Sequence, residues 1–389
     1  MEPRDLGELC EVMGRCGAER QKVELGGHFS KRAMGGALAR PDVVVSTARM
    51  TRVVDYEPRD LTLSVEAGLR FQALEDLLAE NRQMLPLDPP LAAASSVGGV
   101  VAANCSGPRR RLYGTARDMV IGMSFVTLAG KEVRSGGMVV KNVAGLDMAK
   151  LLAGSLGTLA AIARLNFRLH SRPPREKTFL LSFDSLKAAL ESRDDILRSV
   201  LQPAAIELGN PGASRRLQAG LPAGYWLAVQ AGGTDAVLAR YERELKAVAR
   251  RGAAAEFAPL EEDAARRLWR AIRDFSALPS GDDSGAAMAR VSTTLGRLGD
   301  CFTLAGSLPA LARAGSGIVY VHCPPEELNL AARARLEGLY TVVESCSEES
   351  KNKLELWADP GPEFKIMSRI KRALDPYNLL NHGRLYNRL

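Results

Sequence analysis

The sequence predicts an α+β fold, and three observations carry that prediction. Short β-branched runs bounded by turn residues alternate with amphipathic helical segments up to about residue 170. Beyond the proline- and charge-rich SRPPREK (171–177) the texture becomes a regular alternation of strands and helices, the order expected of an antiparallel sheet covered by helices on one face. At 389 residues the chain exceeds one small core, so two or three folding units are expected.

Taken in order, Leu6, Leu9, Val12, Met13 and Cys16 recur at helical spacing and predict a first amphipathic helix between Glu2 and Glu19. KVELGGHFSKRAMGG (22–36) reads as a short strand entering a loop whose glycines permit positive φ and close approach of a ligand. DVVVS (42–46), TRVVDY (51–56) and LTLSVEAG (61–68) are strands, and FQALEDLLAEN (71–81) sets Phe71, Leu74, Leu77 and Leu78 on one helical face. In MLPLDPPLAAASSVGGVVAANCSGPRRRLYG (84–114) the prolines hold an extended approach. Ser96 as N-cap before VGGVVAAN would leave free N–H groups for an anion at the helix start. Residues 119–137 predict two strands joined at Ala129-Gly130-Lys131, and 142–169 a short helix, a glycine-punctuated turn and a long apolar strand.

In the second half the strands are TFLLSF, AAIEL, YWLAVQA, AAMARVS, GIVYVH and LYTVVE. The helices are SLKAALESRDDILRSV, AVLARYERELKAVARR and residues 261–274. The closing segment 362–389 is a helix stopped at Asp375-Pro376 and followed by an extended tail.

Composition excludes several classes. Hydrophobic residues make up 46% and charged residues 25%, as in an ordinary soluble globular protein. No apolar run approaches the roughly 18 to 20 residues that span a bilayer, and the N-terminus lacks a basic region followed by an apolar core, so a cytoplasmic location is expected. Lysine and arginine outnumber aspartate and glutamate by 52 to 45, mostly along solvated helical faces. Aromatics are 5% and do not interleave with a basic stripe, which argues against nucleic acid. The six cysteines have no CxxC spacing, and the four histidines no ligand spacing, so no metal, disulfide framework or iron–sulfur cluster is expected in this chain.

A single glycine pair says little, but the succession says more. A GG loop is followed by strands, then P-x-x-P-P with SSVGG, then NCSGPRRRLYGTARD, then KNVAGLDMAKLLAGSLGTLAAI. Over residues 20 to 172 this order resembles the flavoproteins with a PCMH-type FAD-binding domain, the vanillyl-alcohol-oxidase superfamily. The tail IKRALDPYNLLNHGRLYN resembles that family's closing segment, which returns to the flavin. GPRRRLYGTARDMVIG, KNVAGLDMAKLLAGS and the closing DP...N-x-GR are most similar to the FAD-binding subunits of bacterial glycolate oxidases.

The resemblance implies FAD as cofactor and an α+β architecture in parts. A two-subdomain FAD-binding domain occupies 1–172, divided near 83. An α+β cap domain with an antiparallel sheet occupies 173–345, and 346–389 returns to the FAD domain. It implies that Gly26, Gly27, His28, Phe29 and Ser30 face the pyrophosphate, where loop N–H groups form an anion nest. Pro89, Ser96, Val97, Gly98, Gly99, Asn104, Ser106 and Gly107 would approach the flavin ring, with Tyr113, Gly114 and Asp118 continuing that wall. Gly154, Gly157, Thr158 and Ile162 would contact the ribityl or adenosine part, and Arg384 belongs to the returning tail. For Asn104, Ser106 and Asp118 a turn or cap hydrogen bond is the competing reading.

His28 is open to three readings. GGH also resembles the loop in which sugar oxidases and berberine-bridge-type enzymes attach flavin covalently, and a noncovalent flavin contact or an exposed loop histidine stand beside that. His382 replaces the proline of the family's N-P-G-R close and leaves the rigidity of the tail open. Arg109, Arg110 and Arg111 are the densest charge cluster, suited to hold a carboxylate or reduced-flavin charge, or to make a surface or subunit contact. Lys141, Asn142 and Asp147 suggest a bridge near the flavin or a salt bridge.

Oxidation of a small 2-hydroxy acid needs a base and a cationic grip on the carboxylate besides the flavin. The GH-x-GDGN-x-H stretch and EHG triplet of the larger subunits in this superfamily are absent here, so no catalytic residue is assigned. The expected role is a flavin subunit in a glycolate oxidase-like complex with a larger flavoprotein and an iron–sulfur subunit, any membrane association coming through those partners. A self-sufficient oxidase with flavin on His28 and a non-catalytic scaffold are the alternatives.

Overall fold

The computed structural model describes residues 1–138, 146–278 and 285–389; Lys141 and Asn142 lie outside them. The chain divides into two compact units. The first comprises Met1–Ser106, Gly114–Arg172 and Asp359–Leu389, the second Gly107–Tyr113 and Pro173–Ala358.

The first unit begins with α1 (Leu6–Ala18), whose N-cap Asp5 accepts from the Glu8 N–H and whose buried stripe is Leu9, Met13 and Cys16. Strands β1 (Val23–Gly26) and β2 (Val43–Ser46) form a parallel pair with Val23 opposite Val43. Next come β3 (Val53–Glu57), β4 (Thr62–Glu66), α2 (Phe71–Glu80), β5 (Gln83–Met84) and α3 (Val97–Ala102). The segment α4 (Arg110–Tyr113) belongs to the second unit. The first unit resumes with α5 (Ala116–Met119), β6 (Val120–Val126), β7 (Glu132–Gly136), α6 (Met148–Leu152), β8 (Ala161–Arg168) and β9 (His170–Ser171).

Five of these strands make an antiparallel sheet in the order β3-β4-β8-β6-β7. Along β4 every residue is buried. Leu9, Met13 and Cys16 of α1 share a core with Val126, Ala161 and Ala163 of the sheet and with Leu379 and Leu380 near the C-terminus. The returning tail is thus part of this core rather than an appendage.

The second unit is an eight-stranded antiparallel sheet assembled from β10 (Arg175–Phe183), β11 (Ala205–Gly209), β12 (Tyr225–Gly233), β13 (Glu256–Leu260), β14 (Ala287–Ser292), β15 (Ala310–Arg313), β16 (Ile318–Cys323) and β17 (Tyr340–Cys346). Their spatial order is β13-β10-β12-β11-β15-β16-β14-β17. Its helices are α7 (Leu186–Arg198), α8 (Pro211–Leu217), α9 (Asp235–Arg251), α10 (Glu262–Asp274), α11 (Leu298–Ala305), α12 (Leu330–Leu336) and the short α13 (Glu348–Lys351). One sheet face, with Leu181, Leu208 and Val229, packs on α7, α9, α11 and α12.

The expectation of helices on one face alone is corrected. Trp226, Ala228, Leu311 and Tyr320 point to the opposite side and bury Ala213 of α8 and Leu268 and Ile272 of α10. The reason is strand chemistry: alternate residues are apolar toward both sides, so neither face can be left to water. The chain ends with α14 (Glu363–Leu374), capped by Asp375.

Candidate functional site

A cleft opens in the first unit at the end of β1. It is built where four chain segments meet. The first is the loop from Gly26 to Arg32. It is held on β2 by Ser46, whose Oγ donates to the Gly27 carbonyl at 2.9 Å, and by the Thr47 N–H, which donates to the Gly26 carbonyl at 2.9 Å. Contrary to expectation, the left-handed residue is Phe29 (φ 55) and neither glycine of the pair. That conformation is unfavourable for an aromatic residue, and the Phe29 ring lies under the Arg32 guanidinium, 4.7 Å from its centroid.

The consequence for hydrogen bonding is direct. Among the described residues, the backbone N–H groups of Gly27 through Lys31 donate to no protein acceptor. A run of free N–H groups around one left-handed residue is an anion-binding concavity. Lys31 adds a cation whose Nζ donates to Ser95 Oγ at 2.7 Å. Arg32 is spoken for by a two-pronged contact with the buried Glu24 at 2.8 and 2.9 Å.

The second segment is α3. Ser96 is its N-cap, its Oγ accepting from the Gly99 N–H at 3.1 Å. The anion site expected there is not present, because the protein has used the donors: Val97 N–H goes to Leu69 O and Gly98 N–H to Ala67 O, both at 2.8 Å. The glycines serve packing instead. A Cβ on Gly27 would stand 2.0 Å from Ser96 Oγ, and one on Gly98 would stand 2.7 Å from the Ala67 Cβ.

The third segment is the turn 154–158, where Gly157 (φ 72) faces the Asn381 amide. The fourth is the tail. Asn381 Oδ1 accepts from Leu25 N–H at 2.7 Å, while its Nδ2 donates to Leu25 O and Leu156 O. Arg384 donates to the carbonyls of Arg32 and Met34 at 2.7 and 2.8 Å. Behind them the buried Lys371 ammonium bonds Asp375 and the Thr158 carbonyl, each at 2.6 Å, and Asp375 accepts from Leu379 and Leu380. Burial lowers the Lys371 pKa, against the raising effect of the Asp375 carboxylate 2.6 Å from its ammonium. In the tail, His382 Nδ1 meets Asn378 Nδ2 at 2.5 Å.

His28 lines the cleft, half-buried, with Nε2 donating to the Gly68 carbonyl at 3.0 Å. Burial and then the Arg70 charge hold its imidazole below the usual histidine value, against the raising effect of that carbonyl. An exposed loop histidine is therefore not what the structure contains.

Of the residues predicted from sequence, Gly26, Gly27, His28, Phe29, Ser30, Ser96, Gly98, Gly99, Gly157, Ile162 and Arg384 are brought together in the lining. Pro89, Val97, Gly154 and Thr158 lie outside it. Asn104, Ser106 and Asp118 also lie outside and are engaged locally. Asn104 Oδ1 accepts from Arg117 N–H, Ser106 Oγ from Ala116 N–H, and Asp118 closes a capping box with Thr115 beside Gly114. Asp147 caps α6 by accepting from Lys150 N–H. Gly107 and Tyr113 belong to the second unit. Sequence reasoning missed Lys31, Thr47, Ala67, Leu156 and Asn381. The small residues Ala102, Ala103 and Ala160 were missed too, although the AAN run after the second GG pair was a signal available for the first two.

The donor set fits FAD: five free N–H groups and an ammonium suit a pyrophosphate, and the glycine and alanine walls suit a flat ring. Comparisons with known proteins agree. The FAD binding domain family matches residues 1–136, and the C-terminal domain of FAD linked oxidases matches residues 172–302 and 349–385. Glycolate oxidase subunit GlcE of Escherichia coli (strain K12) is 27% identical over 393 residues, covering 98% of this chain and 97% of that one. Glycolate oxidase subunit GlcD of Bacillus subtilis (strain 168) is 25% identical over 413 residues, covering 99% and 88%. A substrate-bound p-cresol methylhydroxylase has the same fold, with a TM-score of 0.78 at 17% identity over 100% of this chain and 88% of that one.

Proposed function

Since the chain belongs to the FAD-linked oxidases, carrying both their FAD binding and C-terminal domains, we propose that it is the FAD-binding subunit of a glycolate oxidase-like complex. In that reading it relays electrons from the oxidation of glycolate or D-lactate. Its partners are a larger flavoprotein and an iron–sulfur subunit. The complex works in the cytoplasm, touching a membrane only through partners. The observation that carries the reading is the match to a glycolate oxidase subunit along nearly the whole of both chains, together with a cleft whose donors suit FAD. No helix among the described residues is long and apolar enough to cross a membrane.

FAD, when bound, supplies two-electron redox chemistry. The chain's own residues bind and orient. The loop Gly27–Lys31 would hold the pyrophosphate, Gly98, Gly99, Ala102 and Ala103 would leave room for the ring, and Asn381 and Arg384 would close the cleft. His28, the histidine in the cleft lining, donates from Nε2 to the Gly68 carbonyl, which fixes the ring and leaves the lone pair of the neutral imidazole on Nδ1.

Tagging the chain and purifying it under native conditions tests this. The expected result is a yellow protein that releases its FAD on acid denaturation, co-purifies with a larger flavoprotein and an iron–sulfur protein, and is reduced by glycolate or D-lactate much faster inside that complex than alone. Rapid bleaching of the isolated chain by either acid, or flavin that stays bound on a denaturing gel, would overturn it in favour of a self-sufficient oxidase.

A further inference from the structure

One side of α14 is fixed to the first unit, and the other is turned to solvent. On the inner side Lys371 is buried and donates to the Thr158 carbonyl at 2.6 Å, and the Phe364 ring meets that of Tyr386 edge-on at 5.6 Å. On the outer side Lys365, Arg369 and Arg372 recur at i, i+4 and i+7 and are exposed, as are Ile366 and Ala373 beside them. Ile366 is 60% exposed although aliphatic.

The charge on this face is unbalanced. Among the described residues, Lys365, Arg369 and Arg372 form no ion pair. The single acidic residue of the helix, Glu363, lies in its first turn, and Asp375 just past its end is taken by Lys371 and by the N–H groups of Leu379 and Leu380. Tyr377 follows, 54% exposed yet held in place: the Arg20 guanidinium lies 4.2 Å from its ring centroid and donates to its hydroxyl at 3.1 Å. An exposed ring that is already ordered loses less freedom when a partner covers it.

We infer that the outer face of α14, together with Tyr377, docks an acidic surface of a partner protein. Charge complementarity sets the chemistry of that partner: cations without counter-ions call for carboxylates, and each guanidinium offers two parallel N–H donors that match one. Arginine and tyrosine around an aliphatic side chain are also the composition of the energetic centre of protein interfaces. The chain as a whole carries +7, which steers an acidic protein toward it. A lipid surface fits less well, because Ile366 is the one large aliphatic side chain exposed on this helix, and an interfacial helix needs an apolar face to enter lipid. That the partner is a subunit of the glycolate oxidase-like complex rests on the reading above; the docking face itself does not.

The test uses the tagged, FAD-loaded full chain purified from the cells that make it. Arg369→Glu combined with Arg372→Glu should lower the larger flavoprotein and iron–sulfur protein recovered per chain about tenfold or more, with the flavin-to-protein ratio and circular dichroism unchanged because both side chains are exposed. Carbodiimide, which joins a lysine amine to an adjacent carboxylate, should link Lys365 to an aspartate or glutamate of one of those two proteins, as read by mass spectrometry of the linked peptides. A complex that survives the double reversal, or Lys365 linked only within this chain, would overturn the inference and leave the subunit reading standing. Binding of the chain to phosphatidylglycerol vesicles that the double reversal abolishes while the complex stays intact would overturn it in favour of a lipid surface. If neither partner is recovered but Lys365 links to a carboxylate of another protein, and the double reversal removes that link, the docking face stands and the subunit reading falls. With no partner recovered and no link to another protein, both fall.

Discussion

Two glycine pairs sit in the first unit, Gly26-Gly27 and Gly98-Gly99, and they do different work. Around the first, the backbone N–H groups from Gly27 to Lys31 have no protein acceptor among the described residues; around the second, Val97, Gly98 and Gly99 have all found one in Leu69, Ala67 and Ser96. Both pairs line the same cleft. The difference lies in the backbone just after each pair. A left-handed Phe29 follows the first pair in a loop whose N–H groups meet no acceptor among the described residues, whereas the second pair enters a capped helix whose first donors are consumed on the spot. A GG pair thus marks close backbone approach, and only the next dihedrals decide whether a ligand or the protein receives the donors.

The contrast can be broken most severely at Gly27. Gly27→Ala places a methyl 2.0 Å from Ser96 Oγ and must push the loop off α3. An overpacking cost of roughly 1–3 kcal/mol, taken from ligand binding, weakens FAD affinity by about 10- to 100-fold; fluorescence titration of the apoprotein with FAD reads this, and unchanged affinity would refute the loop's role. At Gly98 the same substitution collides with Ala67, which is protein core, so it should lower stability toward urea by roughly 1–3 kcal/mol while FAD affinity in the folded fraction changes less than in Gly27→Ala. The reverse ranking of the two variants would exchange the roles of the pairs.

A milder probe is Ser96→Ala, which frees the Gly99 N–H and should cost about 1 kcal/mol in urea denaturation. Smallest is the effect of His28. Its pKa is lowered on folding, so the unfolded chain binds the proton more readily and the stability it contributes is present above about pH 6.5 and is lost as pH falls through the folded value. His28→Gln should flatten the decline of urea midpoint below pH 6.5, only in part, because burial also lowers His170 and His382. An unaltered pH profile would show that His28 is not held neutral.

Much of the fold was legible. The strands at 43–46, 53–57 and 62–66 and the helix at 71–80 fall where β-branched runs and apolar periodicity place them. Elements whose residues carry no such pattern were not legible. β15 is Ala310–Arg313, an alanine-rich stretch with no β-branched residue, made a strand by ladders on both sides. β13 contains Pro259, tolerated because it is an edge strand bonded to β10 alone. The cleft was half legible: its glycines announce themselves, but Lys31, Thr47 and Asn381 are ordinary residues made relevant by position.

What the amino-acid order determined by itself is local: where helices start at Asp5, Ser96 and Ser185, where strands alternate, and which turns admit a neighbouring backbone. Those outcomes depend on sterics and hydrogen bonds within a few residues, which a linear pattern encodes. Tertiary structure alone decided which donors were left unused. Leu69 and Ala67 reach α3 from about thirty residues away, and Asn381 reaches Leu25 across 356 positions. Whether a polar group is spent depends on its nearest partner in space, and spatial neighbours this distant in sequence leave no trace in any local window.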